Sequence, residues 1–193
     1  DRWESIINTG DGSKRVDIGF VGDGFTEKQY GTFKAITDKL CVDMLAIDPF
    51  KRYKNYINFH RLVVISERSG LNGSLGVIKR ESNNLITADP IKTFTYAQAL
   101  PDCDLICVVS NSPSGRASAM YYNNERLKRG MITMQMNNDG ATLVHELGHA
   151  FGFLSDEYID ATSARGLPQP ESFHINVTCE SNWKKSKWWY FNL

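Results

Sequence analysis

A chain of 193 residues, 41% of them apolar and 23% charged, is long enough to bury a sizeable core and has an ordinary globular composition. Its 22 basic and 22 acidic side chains cancel, which argues against nucleic acid or another polyanion as a partner. No run of about 18 apolar residues is present, so a membrane span is not expected, and a chain beginning at Asp1 reads as a mature or trimmed protein, from which an export signal could have been removed.

Residues 14–21 alternate in hydrophobicity and predict a strand. Gly22-Asp23-Gly24 reads as a tight turn; it is too short for a phosphate loop and lacks that motif's Lys-Ser/Thr pair. Thr26, with Gln29 three residues on, has the form of a capping box. Tyr30, Phe33, Ile36, Leu40 and Met44 recur at helical spacing, predicting an amphipathic helix over 27–46 that ends at Asp48-Pro49. A second strand is expected over 57–66, then a long surface loop over 67–92, rich in Ser, Asn and Gly. A short helix over 93–100, a buried strand over 104–110, a loop over 111–118, a strand over 130–136 and a helix from Ala141 to about Phe151 follow. This order predicts an α/β fold with a mixed, twisted sheet packed by helices, in a single domain spanning 1–193. The tail from Ala161 reads as loop with Pro168 and Pro170, followed by Trp183, Trp188 and Trp189. These aromatics are expected to anchor in a core, the alternative being an exposed patch for a partner or glycan.

Cys41, Cys103, Cys107 and Cys179 do not have zinc-knuckle spacing; two disulfides and buried thiols both remain open. Cys41 falls on the apolar face of the first helix. His60 is expected to be an ordinary half-buried strand residue, and His174 lies in the C-terminal loop, where only a fold-back would bring it to a metal.

The chemistry is concentrated in one stretch, His145-Glu146-Leu147-Gly148-His149, on the last predicted helix. Histidines four apart lie one turn apart on one helical face, so both imidazoles can reach a single Zn²⁺. Glu146 projects near that face, placed to act on a metal-activated water rather than on the metal. Leu143, Val144, Leu147, Ala150 and Phe151 can pack the helix against the sheet, and Asp139 is a plausible N-cap. A catalytic zinc site needs a third protein ligand. Asp156 is the first candidate, with Glu157 competing and a supporting role for either carboxylate still open. Asp156 lies seven residues beyond His149; in a continuous helix that is about 10 Å along the axis, so the chain must leave the helix and fold back. Gly152 is placed to allow this through the left-handed conformation. Tyr158 can donate a hydrogen bond to a developing oxyanion, or can equally be a core tyrosine.

The run His145 to Tyr158, His-Glu-Leu-Gly-His-Ala-Phe-Gly-Phe-Leu-Ser-Asp-Glu-Tyr, resembles the signature of the IgA-peptidase family of metallopeptidases. Residues 15–26, Pro49 to Tyr53, Ser69-Gly70, Asn176-Val177-Thr178 and Lys187-Trp188 are similar to further parts of its pattern. The resemblance implies a zincin-like catalytic domain and a secreted or cell-surface zinc endopeptidase acting on protein or peptide, with His145, His149 and Asp156 as metal ligands and Glu146 and Tyr158 as catalytic residues. It does not extend to residues 71–89, and it leaves room for further C-terminal domains. The metzincin pattern fits less well, because Ser155 stands at its usual third-ligand position and no Met follows residue 136. Two rival functions remain: a protein- or glycan-binding module that keeps the fold without cleaving, and a zinc hydrolase acting on a non-peptide amide.

Overall fold

The computed structural model describes residues 2–123, 128–156 and 174–188. The chain divides into two compact units, Asp1–Phe151 and Gly152–Leu193. Among the described residues no helix is long and apolar enough to cross a membrane.

The first unit is built on a six-stranded sheet. Its strands are β1 (Arg2–Ile7), β2 (Val16–Asp23), β3 (Ile57–Val63), β6 (Leu105–Ser110), β7 (Ser118–Asn123) and β8 (Lys128–Gln135), in the order β1-β3-β2-β6-β8-β7. The four central strands run parallel, and β1 and β7 pair antiparallel at the two edges, so the sheet is mixed as expected. Two short strands, β4 (Ile78–Lys79) and β5 (Ile86–Thr87), make a separate ladder. They lie inside the segment expected to be loop. Helices α1 (Tyr30–Met44), α2 (Phe50–Tyr53), α3 (Pro90–Ala97) and α4 (Gly140–Ala150) complete the unit.

The period-two alternation of the strands divides the core between the two faces of the sheet. Ile18, Phe20, Phe59, Leu105, Cys107, Val109, Ile132 and Met134 pack with Phe33, Leu40 and Met44 of α1 and with Leu143, Leu147 and Ala150 of α4. Val21, Leu62, Ile106, Val108 and Met131 face the other way, onto Phe94 and Ala97 of α3 and onto Leu75, Val77 and Ile86. Helices on both faces of a largely parallel sheet explain why the central strands carry apolar residues on both faces, most completely in β6.

Several expectations shift. The first strand does not turn at Gly22 but continues to Asp23, which is fully buried and accepts hydrogen bonds from the backbone N–H of Leu75 at 2.6 Å and of Val77 at 3.3 Å. Of the three residues expected in the turn, only Gly24 takes a left-handed conformation, with φ +73°. Burial pushes the Asp23 carboxyl above its usual range, opposed by those backbone donors. The helix expected over 93–100 begins three residues earlier, because Asp89 caps Ile91 and Lys92 and Pro90 occupies the first turn. His60 is not half-buried but 5% exposed, and it contacts Asp17. Cys41, Cys103 and Cys107 are buried and Cys179 is exposed, and none of the four is in a disulfide. Burial, followed by the charges of Asp17 and Asp104, pushes the Cys103 thiol up to about 12.

The second unit is described over 152–156 and 174–188. Asn176 donates to the Ser155 carbonyl at 2.7 Å and accepts from the Ser155 N–H at 2.8 Å. Trp188 donates through its indole to the Ile175 carbonyl at 2.6 Å. Trp183, expected in a core, is 54% exposed at the start of a 3-10 turn, with the Lys184 ammonium over its ring. Trp189, Pro168 and Pro170 lie outside the described residues.

Candidate metal centre

Helix α4 starts where the sequence places it. Asp139 Oδ1 accepts from the backbone N–H and the hydroxyl of Thr142, both at 2.9 Å, satisfying one of the unpaired donors of the first turn. From there the helix runs eleven residues, with Leu143, Leu147 and Ala150 turned into the core. Its C-terminal turn lies against β8 at Gly130. A Cβ at that position would stand 2.4 Å from the Ala150 carbonyl oxygen, so the close approach of helix and strand requires a glycine.

This placement sorts the three polar residues of the motif. His145 and His149 fall on the solvent side, exposed and half-buried respectively. Glu146, one position round the helix, is 6% exposed. Its charge is felt beneath the helix by Cys107, whose thiol is raised first by burial and then by Glu146.

The two imidazoles converge. Their Nε2 atoms stand 3.2 Å apart, with the rings perpendicular and their centroids 4.8 Å apart. Two nitrogens at about 2.0–2.1 Å from one tetrahedral ion are separated by about 3.3 Å, so the observed spacing suits a shared zinc. Imidazole and carboxylate donors are also the chemistry a catalytic zinc site employs.

Asp156 belongs to the second unit. Beyond Ala150 the chain leaves the helix through Phe151, and the left-handed residue is Phe153, at φ +54°, rather than Gly152. A bulky residue in that conformation is strained. Here the Phe153 carbonyl lies 2.9 Å from His174 Nδ1. His174, a remote candidate ligand in sequence, thus contacts the backbone of this turn. Asn176 was not singled out as a site residue, although it grips both backbone groups of Ser155, immediately before Asp156. The only sequence signal for it was the Asn-Val-Thr triplet, which carries no information about such a contact. Within the first unit, His145 and His149 are the pair whose ring nitrogens could share an ion, and Asp156 lies on the second. Tyr158 and Glu157 lie outside the described residues.

No curated protein matches the chain. The model of the IgA Peptidase M64 family matches it over residues 5–191. With that match spanning nearly the whole sequence, the protein belongs to the IgA Peptidase M64 family of metallopeptidases and takes protein as its substrate class.

Proposed function

We propose that the chain is a zinc-dependent endopeptidase with a zincin-like catalytic centre, in which His145, His149 and Asp156 hold the metal, Glu146 is the general base and Tyr158 assists. The observation that carries this is the 3.2 Å approach of the two Nε2 atoms on α4, which suits one shared ion. When bound, zinc supplies Lewis acidity, polarising the scissile carbonyl and lowering the pKa of a water toward about 7. Glu146 takes a proton from the attacking water as its oxygen bonds to the carbonyl carbon, then delivers that proton to the amide nitrogen as the C–N bond breaks. The products are a carboxylic acid and an amine, which exchange the remaining proton to leave a carboxylate and an ammonium. Rigid placement of Glu146 on a capped, core-packed helix favours this role, since a base must be held within hydrogen-bond reach of the proton it moves. Tyr158 donates a hydrogen bond to the oxyanion that develops on the carbonyl oxygen. A secreted or cell-surface location belongs to the same proposal and rests on the family resemblance.

The test is cleavage of a reduced, unfolded protein by the purified chain, read by mass spectrometry. Fragments that vanish with a chelator and return with added zinc support the proposal. Full cleavage by metal-free protein overturns it, as does a zinc-loaded chain that cleaves only non-peptide amides or cleaves nothing.

A further inference from the structure

The face of the sheet opposite α4 holds a second polar assembly that the proposed peptidase chemistry does not use. Ile18, Phe20 and Phe59 point toward α4, so alternation turns Asp17, Asn58 and His60 to the other side. There they line a cavity of about 640 Å³, shared with Trp3, the Asn8-to-Ser13 segment and Asp104. That volume falls within the range of small-molecule sites.

The Asp17 and His60 side chains are 5% and 7% exposed. Asp17 Oδ1 receives His60 Nε2 at 2.8 Å and the Asn58 amide at 3.1 Å. A carboxylate oxygen only accepts, so Nε2 carries the proton; in the neutral ring Nδ1 presents a lone pair. Both Asp17 Oδ2 and His60 Nδ1 are buried without a hydrogen-bond partner among the described residues. A buried carboxylate oxygen and a buried ring nitrogen left without partners are costly. Oδ2 is directed at the Gly12 wall of the cavity, where a Cβ on Gly12 would lie 3.1 Å from it.

The surroundings are acidic. Asp104 Oδ2 accepts from the Asp17 N–H at 2.8 Å, and Asp11 Oδ1 accepts from the Ser13 N–H at 3.0 Å. The second oxygen of each has no partner among the described residues. Arg15 also lines the cavity, but its guanidinium is tied to the Thr9 hydroxyl, the Thr9 carbonyl and the Lys14 carbonyl, and it lies over the Tyr56 ring. Trp3, 47% exposed, supplies an aromatic face of the kind that attracts cations.

From this geometry we infer that the cavity is a binding site, separate from the His145–His149 pair, for an organic cation with several N–H donors, a guanidinium or a primary ammonium. Such a head group supplies the donors that Asp17 Oδ2 and His60 Nδ1 lack, and its charge meets Asp11 and Asp104. Entry displaces the Gly12 turn, which lies over Asp17 Oδ2.

Titrate the full chain with N-acetylarginine amide, N-acetyllysine amide and the neutral isostere N-acetylcitrulline amide, by calorimetry and by NMR of assigned His and Trp side-chain signals. The expected result is saturable binding of one or both cations, with shifts at His60 and Trp3 and none at His145 and His149, and no binding of the citrulline compound. The tighter of the two cations identifies the head group. Asp17 also anchors Asn58 and His60, so the informative variants are Gly12→Ala, which removes no hydrogen bond and crowds Oδ2, and Asp11→Asn, which keeps the Ser13 cap without the charge. Gly12→Ala should weaken binding at least about tenfold and Asp11→Asn several-fold. Equal binding of the citrulline compound, no saturable binding of either cation, or wild-type affinity in Gly12→Ala overturns the inference.

Discussion

His145 Nε2 and His149 Nε2 face each other across 3.2 Å on one side of α4, with no other imidazole of the first unit on that helix. One ring can donate its Nε2–H to the other at this distance, and a cation bound between them would take both lone pairs instead. Purified protein is therefore expected to hold about one zinc per chain. His149→Ala should weaken zinc binding by at least about 100-fold, measured by competition with a chelating indicator, while the far-ultraviolet circular dichroism stays that of the wild type. Unchanged affinity in His149→Ala would mean that the pair does not share an ion.

The helix can present these rings only because β8 lets it come close. Gly130→Ala places a methyl within 2.4 Å of the Ala150 carbonyl and 2.6 Å of Leu105 Cδ1. Strand and helix must separate, at a cost of about 1–3 kcal/mol. The melting temperature should fall by several degrees, and zinc affinity should fall with it, because His149 lies next to Ala150. Thermal denaturation and metal titration of this variant check both effects. Loss of stability with wild-type metal affinity would show that the helix end does not set the ligand geometry.

Asp139 gives the helix a pH signature. The Thr142 backbone N–H, followed by the Thr142 hydroxyl, holds the Asp139 carboxyl below its usual range. A carboxyl group lowered on folding stabilises the protein fully above its unfolded value of about 3.9, and that contribution is lost as pH falls through the lower folded value. Asp139→Ala should cost about 1 kcal/mol near neutrality. The gap in melting temperature between variant and wild type should stay constant from about pH 5 to 7 and close in stronger acid. A gap that widened on acidification would contradict the capping role.

The legible parts of the fold were those with neighbours on both sides. β2, β3, β6 and β8 are covered on both faces and paired at both edges, so their apolar runs stand out. β1 and β7 sit at the sheet edges, where half of each strand meets solvent, and Arg2-Trp3-Glu4-Ser5 or Ser118 to Asn123 carry no clean alternation. The same rule governs the site. The approach of His145 and His149 was readable because helical spacing alone brings the two rings together. The turn beyond the helix was placed on Gly152, yet Phe153 adopts it, beside His174. The Asn176 clamp on Ser155 and the Asp17–His60 contact each join positions more than twenty residues apart. Pairings of that kind are set by tertiary packing and leave no local pattern in the chain.

The most direct measurement pairs metal content with turnover in Glu146→Gln. The substitution keeps the size of the side chain and removes its capacity as a base. It should leave one zinc bound per chain and lower the rate of peptide hydrolysis by about 10²–10⁴-fold. Hydrolysis at the wild-type rate by a fully zinc-loaded Glu146→Gln protein would contradict the account.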